Sequence, residues 1–163
     1  MVKMAIANND PNACSASNDI ENSSQCYYQV AFALKNSSLC GRVIGNSTIA
    51  RCYYSLAIEL NDSGVCNSAQ DSAIANGCYY LVAEDLGNPE ICKSIKNNSQ
   101  QTDYCYYHIA SELKDPATCG LIRSNGDADI CYLELVKSPK DLAICDLIKF
   151  NKTAEYCRGQ FDK

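Results

Sequence analysis

Twelve cysteines are the residues of this 163-residue chain with the most chemistry to offer, and their spacing limits what that chemistry can be. They stand at 14, 26, 40, 52, 66, 78, 92, 105, 119, 131, 145 and 157, so the intervals alternate 12, 14, 12, 14, with one 13 between Cys92 and Cys105. Metal-binding cysteines favour tight C-x-x-C knuckles or nearby histidines. This chain has no C-x-x-C, and His108 is its single histidine. An even set of thiols at this density is therefore expected as disulfides, in an extracellular or cell-surface protein rather than a reducing cytosol. No metal and no cofactor is expected.

The other reactive residues do not assemble into a catalytic set. His108 occupies a position held in sister segments by Gln29, Ser55, Leu81 and Glu134, which marks a solvent-facing site rather than a general base. Serines are abundant but lack a neighbouring base. The acidic pairs Glu84/Asp85 and Asp127/Asp129 read as solvated or capping carboxylates, and "NGDAD" at residues 125 to 129 lacks the rest of a calcium loop. The chain is expected not to be an enzyme. A net charge of −5 with no lysine or arginine cluster argues against nucleic acid as a partner. No run of 18 apolar residues exists, so no membrane-spanning helix is expected. The opening "MVKMAIANNDPNAC" is too poor in apolar residues for a complete signal peptide, which points to a mature or trimmed form.

Asn-x-Ser/Thr sequons at Asn22, Asn36, Asn46, Asn61, Asn97 and Asn151 also point outside the cell. Each falls in an expected loop or helix start, where a glycan could be carried. Asparagine, serine and threonine also collect at caps and turns for their own reasons.

The elements that position these residues are written as a repeat. Segments such as "QCYYQVAFALKNSSLC", "RCYYSLAIELNDSGVC", "GCYYLVAEDLGNPEIC", "YCYYHIASELKDPATC" and "ICYLELVKSPKDLAIC" recur every 26 residues, once 27. Counting from the first cysteine, position five is Ala31, Ala57, Ala83, Ala110 and Val136, and position eight is Leu34, Leu60, Leu86 and Leu113, with Pro139 breaking the last copy. Together with the cysteine and the tyrosine after it, these make the apolar stripe of an amphipathic helix of about three turns. Position ten is Asn36, Asp62, Asn88, Asp115 and Asp141, followed by proline at Pro89 and Pro116. That is an N-cap and first-turn signature, so a second, shorter helix is expected to start there and to run to Val43, Ile95, Ile122 or Ile148. Such a hairpin cannot bury its own apolar face. The expected fold is all-α, a right-handed α-solenoid of about five 26-residue helical hairpins, with residues 1–9 an arm or processing remnant and residues 10–163 one repeat domain.

Two neighbour pairings are open to the cysteines, and a disulfide needs its Cα atoms about 4.4–6.8 Å apart. Across the tight turn, Cys105 lies about nine residues before the turn and Cys119 about four after it. At about 1.5 Å per residue those levels differ by roughly 7 Å. Across the longer loop the levels match, and parity agrees, because this scheme leaves no cysteine over. The expected bonds are Cys14–Cys26, Cys40–Cys52, Cys66–Cys78, Cys92–Cys105, Cys119–Cys131 and Cys145–Cys157.

The tyrosine pairs Tyr27/Tyr28, Tyr53/Tyr54, Tyr79/Tyr80 and Tyr106/Tyr107 are the most repeated feature after the cysteines. Successive helical residues point about 100° apart, so one of each pair is expected in the core and the other on an inter-repeat groove or the surface. The architecture resembles Sel1-like and tetratricopeptide helical-hairpin repeats. The unit itself looks like the short "CYY…A…L…D…C" arrays of secreted microbial proteins. The array reads as opening on a second helix and closing on a first one, so copies placed end to end would continue it in register. The expected function is an extracellular structural or surface glycoprotein, a self-associating filament subunit. The alternative is a secreted binding module that takes a peptide or glycan on a tyrosine-lined face.

Overall fold

The structure, a computed structural model, describes residues 1–161, and these residues are all-α, with no strand among them. The long helices are α1 (Val2–Ala7), α2 (Ile20–Ala33), α3 (Asn46–Leu60), α4 (Ser72–Asp85), α5 (Ser99–Leu113), α7 (Asn125–Leu135) and α8 (Asn151–Gly159), with α6 (Pro116–Cys119) a single turn. Between them lie 3₁₀ segments at Pro11–Ala16, Ser37–Arg42, Ser63–Ser68, Pro89–Ser94 and Pro139–Leu147. The chain falls into two compact units, Met1–Val82 and Ala83–Lys163, with the boundary inside α4. Within each unit the repeats pack in chain order, α1 on α2 and α2 on α3 in the first, α5 on α7 in the second. This is the local order of a solenoid. No helix among the described residues is long and apolar enough to cross a membrane.

One device turns the chain at the end of most repeats. The residue before the cap adopts the left-handed conformation at Asn9, Lys35, Asn61, Gly87 and Lys114, with φ between 49° and 56°. The next residue then sends its N–H back into the helix it has left. Asn36 donates to the carbonyl of Ala31, Asp62 to Ala57 and Asn88 to Ala83, each at 2.9 Å, and Asp115 donates to Ala110 at 3.0 Å. This closes a Schellman turn. The same residue's side chain caps the following segment: Asn36 accepts from the amide of Ser38, Asp62 from Gly64, Asn88 from Glu90 and Asp115 from Ala117. The alanine five residues after each first cysteine is the residue these turns close upon, and Ala31, Ala57, Ala83 and Ala110 are wholly buried.

Three sequence expectations need correction. The second helix of the hairpin is a 3₁₀ segment in every repeat except the one with α6, because its closing bonds run to the third residue back, as in Val43 to Cys40 and Ile95 to Cys92. Asp141 is not the N-cap of its segment but the third residue of a capping box whose N-cap is Ser138. It sits inside Pro139–Leu147, and its carboxylate accepts from Lys137 N, Ser138 N and Ser138 Oγ. The position-eight leucines are not core: Leu86 and Leu113 are exposed, Leu34 and Leu60 half-buried. Their angle on the helix suits the core, but they stand at its C-terminal end, on the rim of the packed layer. Val30, Leu56, Val82 and Ile109, at position four, fill the core instead.

Residues 1–9 hold α1, whose Ala5 is wholly buried and receives the Asp10 amide at 2.9 Å. Ala5 stands 26 residues before Ala31, so α1 closes with the same turn as the repeat helices.

Candidate functional site

Six disulfides join the cysteine pairs twelve or thirteen apart, Cys14–Cys26, Cys40–Cys52, Cys66–Cys78, Cys92–Cys105, Cys119–Cys131 and Cys145–Cys157, with Cα separations of 5.5 to 5.9 Å. Each clips the short segment of one repeat to the long helix of the next. All twelve cysteines are buried, so a reductant reaches them only when the repeat opens. No free thiol is present among the described residues.

The tyrosine pairs divide their work. The first of each pair is core: Tyr27, Tyr53, Tyr79 and Tyr106 are buried, as is Tyr132 in the last repeat. Tyr53 shows how the phenol is satisfied there, since its hydroxyl donates to the carbonyl of Ser68 at 3.1 Å, beside Gly41 of the preceding short segment. Arg42 lies 5.7 Å over the Tyr27 ring. Burial pushes the phenols of Tyr53, Tyr79, Tyr106 and Tyr132 above their ordinary range.

The second tyrosines, Tyr28, Tyr54, Tyr80 and Tyr107, are half-buried. Tyr28 Oη lies 3.1 Å from Ser55 Oγ on the next long helix. Tyr107 donates to the Glu134 carboxylate, again one repeat on, and that bond together with burial pushes its phenol up to about 12. In both cases the partner is the third residue after the next first cysteine. Tyr28 and Tyr107 are thus rungs between repeats.

Sequence reasoning missed a third layer, two residues before the first cysteine. Ser24 Oγ accepts the amide of Ile44 at 2.9 Å. Asp103 accepts Arg123 N and Ser124 N at 3.1 and 3.3 Å, and Asp129 accepts Lys149 N and Phe150 N at 2.8 and 2.9 Å. Each side chain holds the link that leads into the next long helix. Asp129 is 1% exposed, so it is not the solvated carboxylate its pairing with Asp127 suggests. Two backbone donors offset the cost of burying its charge. The signal was present in "TDYC" and "ADIC", which place aspartate at the same distance from the cysteine.

His108 is neither isolated nor simply solvated. Its Nε2 lies 2.9 Å from the Tyr104 hydroxyl and its Nδ1 3.7 Å from Glu84 Oε1. The six sequon asparagines are all exposed. Asn22, Asn46 and Asn151 lie in the first turns of α2, α3 and α8, Asn61 and Asn97 in left-handed turns, and Asn36 at a segment cap. No group of three metal-ligating side chains converges among the described residues. Compared with known proteins, the chain matches no family model, no curated protein and no solved structure.

Proposed function

We propose that this chain is an extracellular structural glycoprotein, a covalently stapled repeat scaffold whose copies associate into a thin surface filament. The observation that carries the reading is the placement of the disulfides. Every one of the six bridges consecutive repeats, and none closes a loop within one hairpin. Bridges of that kind resist the local opening by which proteases and mechanical load attack a repeat array. A disulfide-rich composition is compatible with an oxidising location, and the exposed sequons suit a glycan-bearing surface.

Association between copies has candidate surfaces. α1 and its N-cap present Met4 and Met1, 61% and 48% exposed, and the residues leading into α8 present Leu147 and Phe150, 47% and 54% exposed. A heterologous contact between two such surfaces propagates into a filament when its rotation does not close a ring. Negative-stain electron microscopy of the oxidised protein across a concentration series tests this. Filaments that lengthen with concentration, and that Met4→Asp or Phe150→Asp abolishes, are the expected outcome. Monodisperse particles at every concentration would sink it.

A further inference from the structure

The groove between α5 and α7 is left unexplained by the disulfides and the tyrosine rungs. It holds about 280 Å³ and is lined by Gln100, Asp103, Tyr104, Tyr107, Asp127 and Ile130. All six belong to the Ala83–Lys163 unit. Its outer edge holds Tyr104 and Ile130, each the residue immediately before the first cysteine of its repeat, a position occupied in the other repeats by Gln25, Arg51, Gly77 and Tyr156. The repeat machinery does not constrain this position, which accepts polar, charged, small and aromatic residues alike. In the second unit it carries a large apolar side chain every time, and Tyr104, Ile130 and Tyr156 are 53%, 51% and 65% exposed. The rungs follow one another at intervals of 26 residues, one per long helix. Contacting helices lie about 8–10 Å apart, so the interval from Tyr104 on α5 to Ile130 on α7 is of that order.

The groove's own chemistry selects its occupant. The Tyr104 ring is held in place: its hydroxyl lies 2.9 Å from His108 Nε2, the two rings meet edge to face at 4.7 Å, and Glu84 flanks the imidazole from the other side. A ring fixed before binding loses little freedom when a partner stacks on it. The back wall is rigid as well, because Asp103 is committed to two backbone amides and Tyr107 to Glu134. Exposed beside the ring are the Gln100 carboxamide and the Asp127 carboxylate. An aromatic face next to a carboxylate and a carboxamide matches a sugar ring, whose C–H face meets the π-cloud while its hydroxyls donate to the oxygens. The lining carries two carboxylates, one of them Asp103 with the exposed Arg123 3.9 Å away, and the chain's net charge is −5, so the site favours a neutral ligand over an acidic polymer. The apolar rungs are single side chains set among polar groups, unlike the continuous apolar centre of a protein interface.

We propose that the α5–α7 groove binds a neutral, linear oligosaccharide whose sugars present flat C–H faces, as equatorially (β-1,4) linked chains do. One sugar stacks on Tyr104 and hydrogen-bonds to Asp127 and Gln100, and the chain runs on across Ile130. The site would tether the scaffold to a polysaccharide surface, whether or not its copies polymerise.

Isothermal titration of the oxidised full chain with cellohexaose and with chitohexaose, and with a hyaluronan hexasaccharide as the acidic comparison, tests the site. Saturable binding of at least one neutral probe is expected. Tyr104→Ala should weaken it about threefold to tenfold, the range an aromatic stacking contact supports, and Asp127→Ala should weaken it too. Ile130→Tyr adds a second aromatic rung and should tighten binding. It decides the matter if Tyr104→Ala does not fold by circular dichroism. Failure of both neutral probes to bind, preference for the acidic one, or indifference of affinity to Tyr104→Ala and Ile130→Tyr would overturn the proposal.

Discussion

Replacing Asp129 with alanine should damage the chain more than the loss of an exposed cap would. The carboxylate is 1% exposed and is the acceptor for two consecutive amides, Lys149 N at 2.8 Å and Phe150 N at 2.9 Å. Hydrogen bonds to a charged acceptor contribute about 1.5–3 kcal/mol each. Lys149 and Phe150 are themselves exposed, so water can recover part of the loss. The low end of that range for the two bonds together gives about 2–4 kcal/mol for Asp129→Ala. Asp129→Asn keeps one acceptor and sets a donor against the other amide, so it should fall about midway.

Native-state hydrogen exchange reads the effect where it arises. At about 1.4 kcal/mol per tenfold, the amides of Lys149 and Phe150 should exchange roughly 30-fold to several-hundred-fold faster in Asp129→Ala. The control is Asp71→Ala. Asp71 also accepts two amides, Ala73 N and Ile74 N, but from an exposed position. Its loss should cost about 1 kcal/mol, as surface caps do. Unchanged exchange at Lys149 and Phe150, or an equal penalty from Asp71→Ala, would refute the assignment of Asp129 as a buried clamp.

Three further outcomes follow from the same geometry. Lys35 and Lys114 hold left-handed conformations at φ 52° and 54°, where Gly87 already serves in a sister repeat, so Lys35→Gly and Lys114→Gly should each raise stability by about 0.5–1 kcal/mol in thermal melts and Gly87→Ala should lower it by a similar amount. Ultraviolet titration of the phenols should place Tyr107 last, near 12, and Glu134→Ala should bring it down. Because the folded phenol holds its proton more tightly than the unfolded one, the stability it contributes is intact below about pH 10 and is lost as pH rises towards 12. At the acid end the sign reverses. Hydrogen bonds from Thr118 and from Ser138 hold the carboxyls of Asp115 and Asp141 below their ordinary range, so their contribution is present above that range and fades as pH falls through the lowered values. Replacing Cys66 and Cys78 together by serine opens a loop with a sequence separation of 12. It should cost about 3 kcal/mol on the chain-entropy model, with the first new protease cuts between residues 66 and 78.

How far the fold could be read from the chain varied with the kind of constraint. The period, the helical class and the caps at Asn36, Asp62, Asn88 and Asp115 were legible because each is a local rule repeated in sequence. The level-and-parity reasoning about the cysteines used only helix rise and counting. What escaped was whatever depended on level within the packed layer. Leu86 and Leu113 lie at the right angle but at the C-terminal ends of their helices, so a helical wheel places them inside when they are exposed. The 3₁₀ character of the short segments escaped too, because a cap predicts where a helix starts and not how tightly it winds. Asp103 and Asp129 were hidden by composition: an aspartate beside other polar residues reads as surface until the backbone amides it serves, some twenty residues away, are seen. The first tyrosine of each pair went to the core, and Tyr28 and Tyr107 among the second ones tie to the next repeat. The exposed aromatic position turned out to be the residue before the cysteine, which varies from repeat to repeat and so carried no repeat signal.

Mapping the disulfides of the native protein by proteolysis without reduction, followed by mass spectrometry, bears most directly on the stapled scaffold. Digestion at acid pH keeps the bonds from exchanging. The account predicts cross-linked peptides joining Cys14 to Cys26, Cys40 to Cys52, Cys66 to Cys78, Cys92 to Cys105, Cys119 to Cys131 and Cys145 to Cys157, and no thiol available to alkylation. Peptides joining Cys26 to Cys40 or Cys105 to Cys119, with Cys14 and Cys157 left reduced, would place the bonds inside the hairpins instead of between the repeats and contradict it.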